Sequence, residues 1–266
     1  MCLILFALDA HPRYRLVLAA NRDEFYARPT APAAFRDDSP NILAGRDLHG
    51  GGTWCGITTA GRFAAVTNYR DPRRHREGML SRGRLVADFL GGEMTPDALL
   101  GRLRREGNGY NGFNLIFSDG GELRYFSNRG ELPSTVEPGI HGLSNHLLDT
   151  PWPKVARGTE ALAKLVAARD EVSPDDLFAI LADRTAAPDH ILPDTGVGLE
   201  RERLLSPLFI TSPTYGTRSS TVILIGRDNT CTFVERSFNG TTDNPGTAAY
   251  RFRITGPATE QINRKV

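Results

Sequence analysis

The chain is 266 residues long, 40% hydrophobic and 24% charged, with a formal net charge of +1. That length supports a sizeable core, and the near-neutral balance lacks the basic footprint expected of a partner for nucleic acid or an anionic membrane. No run approaches the roughly 18 apolar residues of a membrane span, and Leu3 to Leu8 is too short and too poor in basic flanks for a signal peptide. A cytoplasmic protein without integral membrane association is expected.

Strand signals dominate the first seventy residues. "CLILFAL" (Cys2 to Leu8) and "RLVLAA" (Arg15 to Ala20) flank the turn-rich "DAHPRY" and read as a hairpin. A long polar, proline-containing stretch follows from Phe25 to Thr53. Two further strands are expected in "TWCGITT" and "RFAAVTN", across a turn at Ala60-Gly61. "SRGRLVADFL" from Ser81 has helical spacing, and "TPDALLGRLRREG" opens with Thr95 as N-cap and Pro96 at the first helical position. Strands resume in "FNLIFSD" and "ELRYFSN". Two capped helices are expected to open at Thr150 and Ser173, before closing strands in "RSSTVILIG", "CTFVERSF" and "AAYRFRI". No linker or repeat divides the chain, so residues 1–266 are expected as one domain. Segregated runs of strands and helices suggest an α+β fold with antiparallel sheets.

The cysteines are Cys2, Cys55 and Cys231, an odd and widely spaced set without C-x-x-C, which fits a reducing compartment better than disulfides or a zinc cluster. No histidine spacing supports a metal site. Of the 32 basic residues 29 are arginine, a bias read as genomic, and the dense cluster "RDPRRHREG" reads as a solvated loop. "HGGG" (His49 to Gly52) is similar to an esterase oxyanion loop, but the chain has no G-x-S-x-G nucleophile elbow. Cys2 is different because of its place. Removal of Met1 would leave a thiol beside a free α-amine, whose pKa of about 7.7–8.0 makes it a base near neutral pH. The bland reading is a small buried side chain. The polar run Asn21-Arg22-Asp23-Glu24, where an apolar strand ends, likewise reads either as part of a site or as a buried network fixing the fold.

"MCLILFA", "LVLAANRDEFYARPTAPA", "GGTWCGITTAGRFAAVTNYR", "GLSNHLLDTPWPKV" and "YGTRSSTV" together resemble the NRDE-motif, or transport-and-Golgi-organisation, family over most of the chain. More distantly the same blocks are similar to cysteine-type N-terminal-nucleophile amidases. That resemblance implies a four-layer αββα sandwich, with two antiparallel sheets between helix layers. It also implies hydrolysis of a non-peptide carboxamide by Cys2, with Asp23 orienting its amine. Asn68 and Asn145 would be oxyanion donors and Arg218 a site arginine. Asn21, Arg22, Glu24 and His146 would bind a small-molecule substrate or ligand. Ala20 stands where the superfamily motif has arginine. No cofactor is expected for the amidase. The family's eukaryotic members imply an alternative, a non-catalytic carrier of haem or of a lipid or acyl ligand.

Overall fold

The computed structural model describes residues 2–130, 134–240 and 246–256; Met1 lies outside them. In chain order it runs β1 (Cys2–Leu8), β2 (Tyr14–Phe25), β3 (Thr30–Arg36), β4 (Ser39–Asp47), β5 (Cys55–Thr58) and β6 (Phe63–Asn68). Helices α1 (Arg82–Gly91) and α2 (Pro96–Glu106) precede β7 (Phe113–Ser118), β8 (Arg124–Ser127), β9 (Ser134–Thr135) and β10 (Gly139–Leu143). Then come α3 (Pro153–Ala168), α4 (Pro174–Leu181), α5 (Leu199–Leu204), β11 (Tyr215–Gly226), β12 (Thr230–Ser237) and β13 (Gly246–Arg253).

Among the described residues the strands form two antiparallel sheets. One is six-stranded in the order β10-β1-β2-β11-β12-β13, the other seven-stranded from β3 to β9 in sequence order. Side chains alternate across each strand, and β1 shows why its sequence is apolar at nearly every position. Ile4 and Phe6 face the other sheet, packing with Leu18, Leu43, Ile57 and Phe63. Leu3 and Leu5 face the opposite way, against Val155 and Leu162 of α3 and Leu177 of α4. On the far side Leu85 and Phe89 of α1 and Leu99 and Leu103 of α2 cover Val66 and Leu115 of the second sheet. The layers are therefore α, β, β, α, as the resemblance implies.

Local chemistry sets most boundaries. Thr95 caps α2, its hydroxyl accepting from the Ala98 N–H at 3.2 Å, and Ser173 and Asp176 form a capping box at α4. The helix expected from Thr150 begins instead at Pro153, because Trp152 precedes a proline and is extended (φ −62°, ψ 149°). The stretch read as a long polar connection contains the β3–β4 hairpin. Its strands were hidden by Pro32 and Pro40 and by two register shifts in the pairing, which break alternation. The edge position of β3 tolerates Pro32. Close packing of α3 on β1 depends on Gly158, where a Cβ would lie 2.6 Å from Leu5 Cδ1. That approach brings the first turn of α3 against the first sheet.

Candidate active site

The β1–β2 register places Cys2 opposite Arg22 and Leu3 opposite Asn21. Alternation then splits the polar run between two environments. Arg22 shares the inter-sheet face with Cys2, while Asn21 and Asp23 lie on the face turned to the helices. Cys2, Arg22, Asp23, Glu24 and Asn68 all line one cavity of about 330 Å³ at the end of the sandwich. The Arg22 guanidinium lies over the Trp54 ring at 4.3 Å and donates to Thr30 Oγ1 at 3.2 Å.

The remaining walls come from the glycine loop and α1. Arg28 donates to both carboxylate oxygens of Asp47, at 2.8 Å from Nη2 to Oδ2, and Asp47 accepts the His49 and Gly50 backbone N–H groups. Hydrogen bonding to Arg28 and to those amides keeps the Asp47 carboxyl below its usual range, against the cost of burial. Gly52 adopts φ 122°, and a Cβ there would meet the Gly83 backbone at 2.5 Å. This contact seats the loop on the start of α1 and brings Arg82 into the cavity wall.

Burial pushes the Cys2 thiol above its ordinary pKa; the Asp23 charge raises it further and Arg22 opposes. Burial also raises Asp23, opposed by the cation of Lys154 and by the Thr217 hydroxyl, which donates to Oδ1 at 2.8 Å. Behind Asp23 lies a second group of buried charges. Arg70 and Glu202 form an ion pair with side chains 5% and 4% exposed, and Lys154 lines a small cleft with them. Burial brings Lys154 down to about 8.

Four expected site residues lie outside the cavity wall. Asn21 donates to the carbonyls of Leu181 and Leu208 at 3.0 and 2.8 Å and accepts from Ser220 Oγ at 2.6 Å, so its amide ties β2 to the end of α4. Arg218 falls at a bulge between Thr217 and Ser219. Its guanidinium holds the carbonyls of Phe25, Tyr26, Arg28 and Phe238. Asn145 is fully buried, and its Nδ2 donates to the Asn68 carbonyl at 3.0 Å. His146 pairs with Thr150 Oγ1 at 2.9 Å, its ring beside Tyr69 and Trp152, and burial lowers its pKa.

Residues not singled out from the sequence are Arg28, Asp47, Trp54, Arg82 and Lys154. A readable signal existed for two of them. Arg82 and Lys154 sit in the first turn of a helix, where a cation opposes the macrodipole and calls for another reason to be there. Among the described residues no group of three or more His, Cys, Asp or Glu could hold a metal ion, and no helix is long and apolar enough to cross a membrane.

A profile of the family described as Transport and Golgi organisation 2 matches residues 1–240. The Transport and Golgi organization protein 2 homolog of Bos taurus is 40% identical over 275 residues, covering 96% of this chain and 99% of that protein. The Homo sapiens homolog is 39% identical, covering 89% of this chain and 93% of its own. Among solved structures, a Caenorhabditis elegans ortholog of N-acylethanolamine-hydrolyzing acid amidase matches with a TM-score of 0.47 at 9% identity, covering 84% of this chain and 92% of that one.

Proposed function

The chain belongs to the Transport and Golgi organisation 2 family, and within it we propose that this member hydrolyses a non-peptide carboxamide C–N bond with Cys2 as nucleophile. The observation that carries this reading is the contrast among the cysteines. Cys2 is half-buried and lines the charged cavity, whereas Cys55 and Cys231 are buried in the core. Burial raises the Cys55 thiol strongly and pushes Cys231 up to about 12. A thiol must ionise to attack, and the raised pKa of Cys2 means that it needs a base beside it. Loss of Met1 would supply one in the α-amine of Cys2 itself.

In this reaction the Cys2 sulfur attacks the amide carbon while its proton passes to the α-amine, which returns it to the departing nitrogen. A thioester remains. Water, deprotonated by the same amine, attacks the thioester and releases a carboxylic acid and the free thiol. Asp23 orients the amine. Asn68 donates to the developing oxyanion, and Asn145, committed to the Asn68 carbonyl, holds that strand end in place. Loss of one oxyanion donor costs about 10²–10³ in rate. The alternative, carriage of haem or an acyl ligand, would use the same cavity, with Cys2 and His49 as donor side chains. Walls bearing Arg22, Arg28, Arg82, Asp47 and Glu24 suit a polar amide better than a macrocycle face or an acyl chain.

The test is peptide-mapped mass spectrometry after a brief, mildly acidic iodoacetamide pulse. Loss of Met1 and labelling at Cys2 ahead of Cys55 and Cys231 are expected. A retained Met1 with an inert Cys2 would sink the hydrolase reading.

A further inference from the structure

Three arginines line the Cys2 cavity, and among the described residues carboxylates pair with only one of them. Arg28 is engaged by Asp47 at 2.8 Å and approached by Glu24 at 3.7 Å. Arg22 and Arg82 have no such partner among the described residues. Arg22 is nevertheless only 5% exposed, and a guanidinium does not shed its proton to escape the cost of burial. Glu235, the buried acid on the same inter-sheet face, is occupied by the Ala33 N–H and the Thr221 hydroxyl rather than by Arg22.

Both arginines also keep donors in hand. A guanidinium carries its N–H groups in a planar fork, and each of these two gives a single hydrogen bond to the protein. Arg22 Nη1 donates to Thr30 Oγ1 at 3.2 Å, and Arg82 Nη1 to the Gly112 carbonyl at 3.1 Å. Trp54 covers a face of the Arg22 plane at 4.3 Å and leaves its edge donors available. Arg82 opens α1, where the helix dipole disfavours a cation, so the helix does not account for it. The β1–β2 pairing sets Arg22 directly opposite Cys2, on the same face of the sheet. In a cavity of about 330 Å³, an anion held by these arginines and a carbon attacked by Cys2 can belong to one small molecule.

We propose that Arg22 and Arg82 form an anion subsite beside Cys2, and that the amide cleaved there carries a carboxylate within a few bonds of its scissile carbonyl. This deepens the reading of Cys2 as nucleophile and rests on it. A carboxylate matches the planar fork of a guanidinium. A dianionic phosphate suits the cavity less, because Asp23, Glu24 and Asp47 line the same walls.

The experiment labels Cys2 with iodoacetate and with iodoacetamide, which differ by a carboxylate in place of a carboxamide, and reads each rate by peptide-mapped mass spectrometry. Both reagents need the same thiolate, so the ratio of rates cancels any effect of the arginines on its ionisation. Relative to the ratio for free cysteine, the wild type should favour iodoacetate by roughly tenfold, the worth of one charge-assisted hydrogen bond. Arg22→Met and Arg82→Met should each lower that preference, and the half-buried Arg82 keeps the test available should Arg22→Met fail to fold. A reactive Cys2 with the free-cysteine ratio, or a preference that survives both substitutions, would overturn the subsite and leave the nucleophile intact. Protection of Cys2 by inorganic phosphate at concentrations where succinamate has no effect would overturn the assignment to a carboxylate. A Cys2 inert to both reagents would instead sink the nucleophile reading. The melting temperature then decides the subsite: a rise with succinamate but not with succinamide, lost in Arg82→Met, supports it, and equal curves overturn it.

Discussion

The two faces of the first sheet bury ionisable groups under different rules. On the helix face Asp23, Lys154, Arg70 and Glu202 lie together, two acids and two bases, each near a charge of the opposite sign. On the inter-sheet face Glu235 shares its side of β12 with the core residues Cys231 and Phe233. Its partners are neutral donors, the Ala33 N–H at 2.7 Å and the Thr221 hydroxyl at 3.3 Å, with Arg22 only a more distant influence. Burial consequently raises Glu235 to about 7. Where the chain supplies a counter-charge, a buried group can stay ionised; where it supplies only hydrogen bonds, the group moves toward neutrality. Arrays of the first kind are found where charge is used, and this one backs onto the Cys2 cavity.

The largest effect should come from breaking the charge array. Glu202→Gln leaves the Arg70 guanidinium buried beside Lys154 without its carboxylate, and truncating one member of a buried pair costs about 3–5 kcal/mol. Urea unfolding should show the midpoint falling sharply with an unchanged slope. A loss below about 1 kcal/mol, the range of exposed pairs, would show that the helix face is no different from the surface.

Next in size is the pH signature of Glu235. Its folded pKa of about 7 stands above the ordinary 4.5, so the native state binds the extra proton between those values. Its contribution to stability is therefore full below pH 4.5 and lost as pH rises through 7, amounting to roughly 3 kcal/mol at most. Glu235→Gln should remove this decline, flattening the difference in melting temperature between pH 5 and pH 8. Lys154 has the opposite sign. With a folded pKa of about 8 against an ordinary 10.5, it makes the unfolded state bind the extra proton, so stability rises with pH through that window. A wild-type decline that persists in Glu235→Gln would assign the titration elsewhere.

The elements were legible because burial on both faces writes itself into a continuous apolar run, as in β1, and because Thr95 and Ser173 announce helix starts through their own hydroxyls, whereas the four-layer order came only with the resemblance. The sequence carried the site less evenly. Cys2, Arg22, Asp23 and Glu24 could be placed together because hairpin pairing brings the ends of the first two strands side by side, whereas Asn68 was reached only through the resemblance. Asn21 could not be separated from them, since only three-dimensional packing brings the Leu181 and Leu208 carbonyls to its amide. The bulge at Arg218 is similarly invisible in a string that alternates normally on either side. Lys154 and Glu202 come from helices about 130 to 180 residues beyond β2, and no local pattern joins them to Asp23.

The smallest effect on stability should lie at the cavity rim, although its geometry looks strongest. Arg28 makes a forked contact with Asp47, Nη2 to Oδ2 at 2.8 Å and Nε to Oδ1 at 3.2 Å, and also approaches Glu24 at 3.7 Å. The two side chains are 30% and 16% exposed, so water already screens both charges. Asp47 keeps the His49 and Gly50 amides when Arg28 is removed, and no buried charge is stranded. Arg28→Ala should then cost no more than about 1 kcal/mol, a melting shift within roughly 2–4 °C. The glycine loop should hold its place through those amides. A loss as large as that of Glu202→Gln would mean that the rim is coupled to the buried array through Glu24 and Asp23. Charge count alone, rather than desolvation, would then set the weight of each ion pair.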